Sequence, residues 1–142
     1  MMISTKGRYA LRVMIDLAEQ QSSSYIPLKE IAKRQDISQK YLESIMTSLS
    51  KNGMIEALHG KGGGYRLSRA PQDYKVGEIL RLTEGTLAPV ACLEEAAKSC
   101  EHMAECRTLP LWTKLNHIVN EYLDSVTIAD LAKNLQIDNY VI

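Results

Sequence analysis

Residues 28–53 read LKEIAKRQDISQKYLESIMTSLSKNG, and this stretch decides the fold. Apolar residues recur at helical spacing before and after a short connection at residues 35–37. Ser38 is a suitable N-cap for the second run, and Gly53 stands where helices commonly end on a glycine. We therefore predict two helices joined by a tight turn, which is the geometry of a helix-turn-helix motif.

The second predicted helix has one apolar and one polar face. The apolar positions follow the i, i+3, i+4, i+7 pattern of a buried stripe: Leu42, Ile45, Met46 and Leu49. The outward positions carry short polar or charged side chains: Lys40, Glu43, Ser44, Thr47 and Lys51. Such a face suits the major groove of DNA, although any helical hairpin with a solvated face shows the same pattern.

A glycine-rich hairpin is predicted directly after this helix. Residues 54–59 and 65–67 have the character of short strands, and Gly60-Lys61-Gly62-Gly63-Gly64 supplies the turn. Cationic or hydrogen-bonding side chains are expected around the tip: His59, Lys61, Arg66 and Arg69. We interpret the hairpin as the wing of a winged helix, and a plain surface hairpin is the alternative. A dinucleotide site is excluded because no helix follows the glycines.

Three further helices complete the predicted architecture. Residues 6–21 form an amphipathic helix capped by Ser4 or Thr5, and residues 76–84 form a short helix that packs back on the first three helices. Residues 109–123 form a long helix, and Thr127 with Asp130 begins a last short helix ending near residue 135. The long helix has one apolar face: Leu111, Trp112, Leu115, Ile118, Val119 and Tyr122.

Too little chain follows the long helix to cover that face, so we expect a second copy of the chain to cover it. Packing onto the first helix is the alternative. The predicted fold class is mainly α with a small β wing. The predicted units are a winged helix-turn-helix domain at residues 1–86, a cysteine-bearing sensor loop at 87–108, and a dimerisation helix with a C-terminal helix at 109–142.

The composition indicates a small globular protein. The chain has 142 residues, of which 45% are hydrophobic and 24% charged, and no apolar run is long enough to cross a bilayer. Without a recognisable secretory signal, a cytoplasmic location is expected. The zero net charge conceals a split: residues 1–75 carry twelve Lys and Arg against seven Asp and Glu, and residues 76–142 carry five against ten. Only the N-terminal half is therefore expected to contact a polyanion.

All three cysteines of the chain, Cys92, Cys100 and Cys106, fall within fifteen residues. Thiolates gathered on a short segment are suitable ligands for an iron–sulfur cluster or a zinc ion. No CxxC pair is present, so the spacing fits neither a zinc ribbon nor a ferredoxin. Three free or redox-reactive thiols are the alternative.

Four stretches carry a family resemblance: STKGRYAL at residues 4–11, ISQKYLE at 37–43, KNGMI at 51–55 and GKGGGY at 60–65. They resemble the Rrf-two family of winged-helix regulators, which includes IscR, NsrR and CymR, and the resemblance covers nearly the whole chain. It implies a homodimer on a palindromic double-stranded DNA operator, with the recognition helix in the major groove and the wing in the minor groove. Lys40, Glu43 and Ser44 would face base edges, and His59 stands where relatives often have an arginine.

The candidate DNA-binding residues comprise the outward face of the recognition helix and the wing tip: Ser38, Gln39, Lys40, Tyr41, Glu43, Ser44, Thr47, Lys51, His59, Gly60, Lys61 and Gly62.

The resemblance also bears on the cysteines, which align with the cluster ligands of members that sense iron–sulfur status, nitric oxide or oxygen. It implies an iron–sulfur cluster, of the two-iron, two-sulfide (2Fe–2S) type, as cofactor. The fourth-ligand positions of the IscR and NsrR branches hold Leu109 and Arg8, neither of which binds iron. Substitutes would be Glu101, His102 or Glu105.

CymR-like members use no cluster and act in cysteine metabolism through a partner enzyme. We accordingly predict a DNA-binding transcription regulator, acting as a repressor, that senses cluster or redox status. One alternative is a cluster-free regulator of cysteine or sulfur metabolism, controlled by thiol oxidation or a partner protein. The other is a small metal-binding or thiol enzyme, although no catalytic arrangement with supporting context is present.

Overall fold

The computed structural model describes residues 2–20, 24–94 and 104–132. The helices and strands, in chain order, are α1 (Thr5–Gln20), α2 (Leu28–Gln35), α3 (Gln39–Lys51), β1 (Ile55–Leu58), β2 (Gly64–Leu67), α4 (Val76–Glu84), α5 (Leu109–Ser125) and α6 (Ile128–Leu131). Short 3-10 turns lie at Pro71–Asp73 and Ala91–Leu93. The predicted class, mainly α with a small two-stranded wing, is confirmed.

The turn between α2 and α3 has the local chemistry that the sequence predicts. Asp36 adopts the left-handed conformation with φ 54°, which short polar side chains tolerate. The Ser38 hydroxyl then caps α3 by accepting a hydrogen bond from the Tyr41 N–H at 3.2 Å. At the other end of α3, Gly53 and Met54 donate backbone hydrogen bonds to the carbonyls of the last turn. Both ends of α3 are therefore fixed by local interactions.

One main hydrophobic core lies between α1, α2, α3 and α6. The predicted inner face of α3 is buried, and it packs with Val13 and Met14 of α1. Ile128 and Ala132, which the sequence assigned to a separate C-terminal unit, are fully buried in the same core. The Thr127–Asp130 capping box starts α6 as predicted. The chain therefore returns after α5 to complete the core of its N-terminal part.

A buried ion pair joins α1 to the end of α2. Asp16 is 2% exposed, and among the described residues it is the one buried charged side chain. Its carboxylate accepts two hydrogen bonds from Arg34, at 2.9 and 3.0 Å, and one from the Gln35 amide at 2.8 Å. The hydrogen bond to Asp16 raises the pKa of Arg34 above its usual value. The interaction holds the helix-turn-helix turn against α1.

We expect Asp16→Ala to lower the free energy of unfolding by about 3 kcal/mol, because Arg34 and Gln35 lose the acceptor around which they are arranged. Urea denaturation followed by circular dichroism measures this change. The control is Asp73→Ala at an exposed position, which should change the free energy by less than about 0.5 kcal/mol. Equal effects of the two substitutions would contradict the structural role given to Asp16.

Candidate nucleic-acid interface

The polar face of α3 is accessible. All twelve candidate DNA-binding residues, eight on α3 with its cap and four at the wing tip, are exposed. Thr47 turns its hydroxyl back to the Glu43 carbonyl at 2.8 Å, whereas Lys40 and Lys51 extend from the exposed face. The buried stripe on the opposite side of α3 fixes which side chains point outward. A helix held in this way presents a constant set of side chains to a binding partner.

The wing is an antiparallel pair in which Ile55 lies opposite Leu67 and Leu58 opposite Gly64. Tyr65 of β2 also exchanges two backbone hydrogen bonds with Ile26, the residue before Pro27, at 2.7 and 2.8 Å. A Cβ atom at Gly64 would lie 2.2 Å from the Ile26 carbonyl oxygen, so glycine is required for this close approach. The wing is thereby attached to the start of α2.

The base of the wing is held by one buried tyrosine. Tyr74 is fully buried, and its hydroxyl donates to the Met54 carbonyl at 2.7 Å. The same oxygen accepts hydrogen bonds from the backbone N–H groups of Ser68 at 2.9 Å and Arg69 at 3.0 Å. The residues just before β1 and just after β2 therefore meet at one hydroxyl group. This fixes the wing relative to the C-terminus of α3.

The prediction that Arg66 and Arg69 surround the wing tip is wrong. Arg66 lies within β2, where it pairs with Glu56 of β1 at 2.7 Å. Arg69 lies at the base of the wing and binds Glu78 of α4 through two hydrogen bonds, at 3.0 and 3.2 Å. Each guanidinium group therefore has a carboxylate partner within the domain, and the tip itself carries His59 and Lys61.

An aromatic contact joins α1 to the first turn of α3. The rings of Tyr9 and Tyr41 meet edge to face, with centroids 5.8 Å apart, and Arg12 lies over the Tyr9 ring. Arg12 also donates hydrogen bonds to the side chain and the carbonyl of Gln35 in the turn. These contacts are not predictable from the sequence, because nothing in the spacing of residues 9 and 41 indicates that they meet. They orient Tyr41 beside the exposed face of α3.

The cysteine segment is described at its two ends. Cys92 lies in the 3-10 turn at Ala91–Leu93, Cys106 lies shortly before α5, and both are partly buried. Cys100, Glu101 and His102 lie outside the described residues. A hydrogen bond with the Thr108 hydroxyl lowers the pKa of Cys106, which favours its thiolate form.

The described residues include two of the three cysteines but no complete set of metal ligands. Among residues 2–20, 24–94 and 104–132, no group of three or more His, Cys, Asp or Glu side chains is arranged to hold a metal ion. Leu109 is the first residue of α5 and Arg8 lies in α1, so no ligand comes from either position. The soft sulfur donors of the cysteines suit an iron–sulfur cluster, but a fourth donor is not identified in the described part of the chain.

The apolar face of α5 is uncovered in a single chain. No residue of this 17-residue helix is buried, and Leu111 and Tyr122 are 59% and 65% exposed. Leu115 and Ile118 are exposed on the same face. Intramolecular packing of this face onto α1, the alternative considered above, is not what the structure shows, because the face is exposed and the most extensive contacts of α5 are with α4. No helix in the described part of the chain combines the length and apolarity needed to span a membrane.

Comparison with known proteins gives a consistent result. The model of the Rrf2 (Rrf-two) family, described as "Iron-dependent Transcriptional regulator", matches residues 3–134. The HTH-type transcriptional regulator CymR of Bacillus subtilis is 38% identical over 132 residues, which span 93% of this chain and 90% of that protein. The HTH-type transcriptional regulator IscR of Erwinia tasmaniensis is 33% identical over 137 residues, which span 96% of this chain and 82% of that protein.

The fold is similar to a solved structure. The structure of CymR, the global cysteine regulator of B. subtilis, superposes with a TM-score of 0.75 at 36% identity. The superposition covers 93% of this chain and 96% of that chain. The helices and the wing described above are therefore shared along almost the whole length of both chains.

We expect Tyr74→Phe to lower the free energy of unfolding by about 2 kcal/mol, since it leaves one carbonyl and two N–H groups at the wing base without their shared partner. The amides of Ser68 and Arg69 should also exchange with deuterium faster than in the wild-type protein. Urea denaturation and hydrogen-exchange NMR measure the two effects. Tyr41→Phe, at an exposed position, is the control. If Tyr74→Phe matched it in both measurements, the hydroxyl would not hold the wing.

Proposed function

Because this chain belongs to the Rrf-two family of winged helix-turn-helix transcription regulators, we propose that it binds a palindromic DNA operator as a homodimer and represses transcription there. The chain is a transcription regulator and not an enzyme. The observation that carries the proposal is the pairing of an exposed polar face on α3 with a wing held in fixed orientation by Tyr74 and Gly64. In this docking, α3 enters the major groove and the wing tip approaches the minor groove.

The side chains on the proposed surface suit both kinds of DNA contact. Lys51 and Lys61 are flexible cations that neutralise phosphates, and the excess of positive charge in residues 1–75 supports this role. Gln39 and Glu43 match hydrogen-bonding groups on adenine and cytosine, respectively, in the major groove. His59 has a shorter reach than the arginine of many relatives. We therefore expect the minor-groove contact of the wing to add less affinity here.

The uncovered face of α5 supports the homodimer. Leu111, Leu115, Ile118 and Tyr122 form an exposed apolar stripe along the helix, and a second copy can cover it about a two-fold axis. An isologous contact of this kind relates the two recognition helices by the same axis. The operator of such a dimer is palindromic, because each half-site is read by one copy.

We expect Lys40→Ala to raise the Kd for a palindromic duplex bound by the wild-type protein about tenfold, as a base-edge contact contributes about 1–3 kcal/mol. The circular dichroism spectrum and Tm should stay unchanged, since Lys40 is exposed. Fluorescence anisotropy at one fixed salt concentration measures the affinity. Lys114→Ala, which removes an exposed lysine of α5, is the matched control. Wild-type affinity in Lys40→Ala would contradict the docking.

For the signal that controls this dimer, we propose an iron–sulfur cluster held by Cys92, Cys100 and Cys106, with Glu101, His102 or Glu105 as candidate fourth ligands. Such a cluster supplies a charged group whose presence depends on iron, sulfide and oxidants. The chain contributes the three thiolates and places Cys106 shortly before α5, which carries the proposed dimer contact. Occupancy of the site would thereby shift the dimer between states of different DNA affinity.

A second candidate is a cluster-free regulator that responds through thiol oxidation or a partner protein. The observation that favours it is the identity of Arg8 and Leu109, which leaves both family positions for a fourth ligand without a donor. The similarity to CymR of B. subtilis, described as a global cysteine regulator, supports the same candidate. The two candidates share the DNA-binding surface and differ only in the chemistry of the three cysteines.

Protein purified without oxygen should be brown, contain iron and sulfide, and lose its visible absorption in air if a cluster is bound. We expect Cys92→Ala to abolish the colour while leaving the circular dichroism spectrum unchanged, because Cys92 lies in a surface turn outside the main core. Visible spectroscopy with iron and sulfide analysis makes the test. Colourless, iron-free wild-type protein would contradict the cluster and support the cluster-free candidate.

A further inference from the structure

The long helix α5 is fastened to the rest of the chain at its C-terminal end. Leu123 and Val126 pack against a small cluster of Val76, Leu80 and Leu87, and the Val76 N–H donates to the Val126 carbonyl at 2.8 Å. No residue of the helix is fully buried, and towards its N-terminus Leu111, Leu115 and Ile118 are exposed. At 1.5 Å per residue, about 22 Å of helix extend from Asp124 to Leu109. The C-terminal end of α5 is therefore attached to the winged helix near residue 126. We call this attachment the pivot of α5.

A groove lies between α5 and the winged helix. The groove has a volume of about 870 Å³ and lies between the end of α4, the loop at residues 85–94, and the α5 residues Thr113, Asn116, His117 and Asn120. Thr113, Asn116 and His117 of α5 face this space. A rotation of about 10° at the pivot would move the far end of the helix by about 4 Å.

Arg81 of α4 bridges the two helices at the inner end of this groove. Its guanidinium group binds the Asp124 carboxylate through two hydrogen bonds, at 2.8 and 2.9 Å. It also donates two hydrogen bonds to the Asn120 side-chain oxygen, at 2.8 and 3.2 Å. Asn120 is itself held by Asn116 one turn earlier on α5. The guanidinium group of Arg81 therefore binds α5 at two positions one helical turn apart.

Gly77 of α4 lies directly beside this bridge. A Cβ atom at Gly77 would lie 2.1 Å from an Asp124 carboxylate oxygen and 3.2 Å from the Arg81 guanidinium nitrogens. A side chain at position 77 would displace the Asp124 carboxylate, so glycine at this position leaves room for the bridge. Hydrogen bonds from Arg81 lower the pKa of Asp124, so the carboxylate stays charged at neutral pH.

We propose that Arg81, through Asp124 and Asn120, is a positioning residue that sets the angle between α5 and the winged helix, and thereby the half-site spacing that the dimer accepts. The inference rests on the proposed homodimer. When two copies join through α5, the angle at each pivot determines how far apart the two copies of α3 lie. The bridge touches neither DNA nor the apolar face of α5, so its loss should change spacing without changing dimerisation or half-site contacts.

The test uses Asp124→Asn and Arg81→Met in the full-length protein. The control is Glu78→Gln, which breaks the Arg69–Glu78 pair. That pair has the same two-bond geometry, and Glu78 and Asp124 both have side chains 37% exposed, but it lies wholly within the winged helix. Light scattering measures the dimer, and anisotropy measures affinity for a single half-site and for palindromes with different spacers.

We expect the wild-type protein and Glu78→Gln to prefer one spacing. Asp124→Asn and Arg81→Met should bind that operator about tenfold more weakly and discriminate less between spacers, because the second half-site no longer binds at a favoured geometry. Their dimer mass and half-site affinity should be unchanged. Gly77→Ala, which displaces the Asp124 carboxylate, should give the same result and keeps the test valid if Arg81→Met does not fold.

Retention of the wild-type spacing preference in Asp124→Asn and Gly77→Ala would overturn the inference, as would loss of the dimer in these variants. A wild-type protein that binds no palindrome as a dimer would instead contradict the proposed function. The two failures are therefore distinguishable from the wild-type measurements alone.

Discussion

The hydrogen bonds of the buried Asp16 carboxylate are the interactions on which the geometry of the proposed DNA-binding surface depends. The carboxylate accepts hydrogen bonds from Arg34 and Gln35 and so fixes the C-terminus of α2 on α1. A carboxylate removed from water is stable only when such partners are present, which makes alternative packings of α2 unfavourable. Because the turn that follows α2 is short, fixing its start also fixes the direction in which α3 leaves it.

The same principle, a polar group held by several partners at a junction, recurs at two other places. The Tyr74 hydroxyl joins both ends of the wing, and the Arg81 guanidinium joins α4 to α5. Apolar packing in the core is less directional than these hydrogen bonds. The core therefore holds the elements together, while three polar groups determine the angles at which the recognition helix, the wing and the proposed dimerisation helix stand.

The sequence predicted the elements well because their signals are local. Ser38, Gly53 and the Thr127–Asp130 capping box mark helix ends within a few residues, and the spacing of Leu42, Ile45, Met46 and Leu49 gives the buried face of α3. The errors concern contacts between distant segments. Arg69 was expected at the wing tip because the sequence does not show that Glu78 of α4 lies beside it. The bridge from Ile26 to the wing and the packing of Ile128 in the main core were missed for the same reason.

In the proposed function, two copies of this chain bind a two-fold symmetric DNA sequence, each through α3 and the wing. The most direct measurement is repeated selection of duplexes from a random DNA pool by the full-length protein, followed by sequencing. We expect an enriched palindrome whose half-sites are separated by about one helical turn of DNA or a multiple of it. Recovery of no enriched motif, or of a single motif without two-fold symmetry, would show that the chain does not bind DNA as a symmetric dimer.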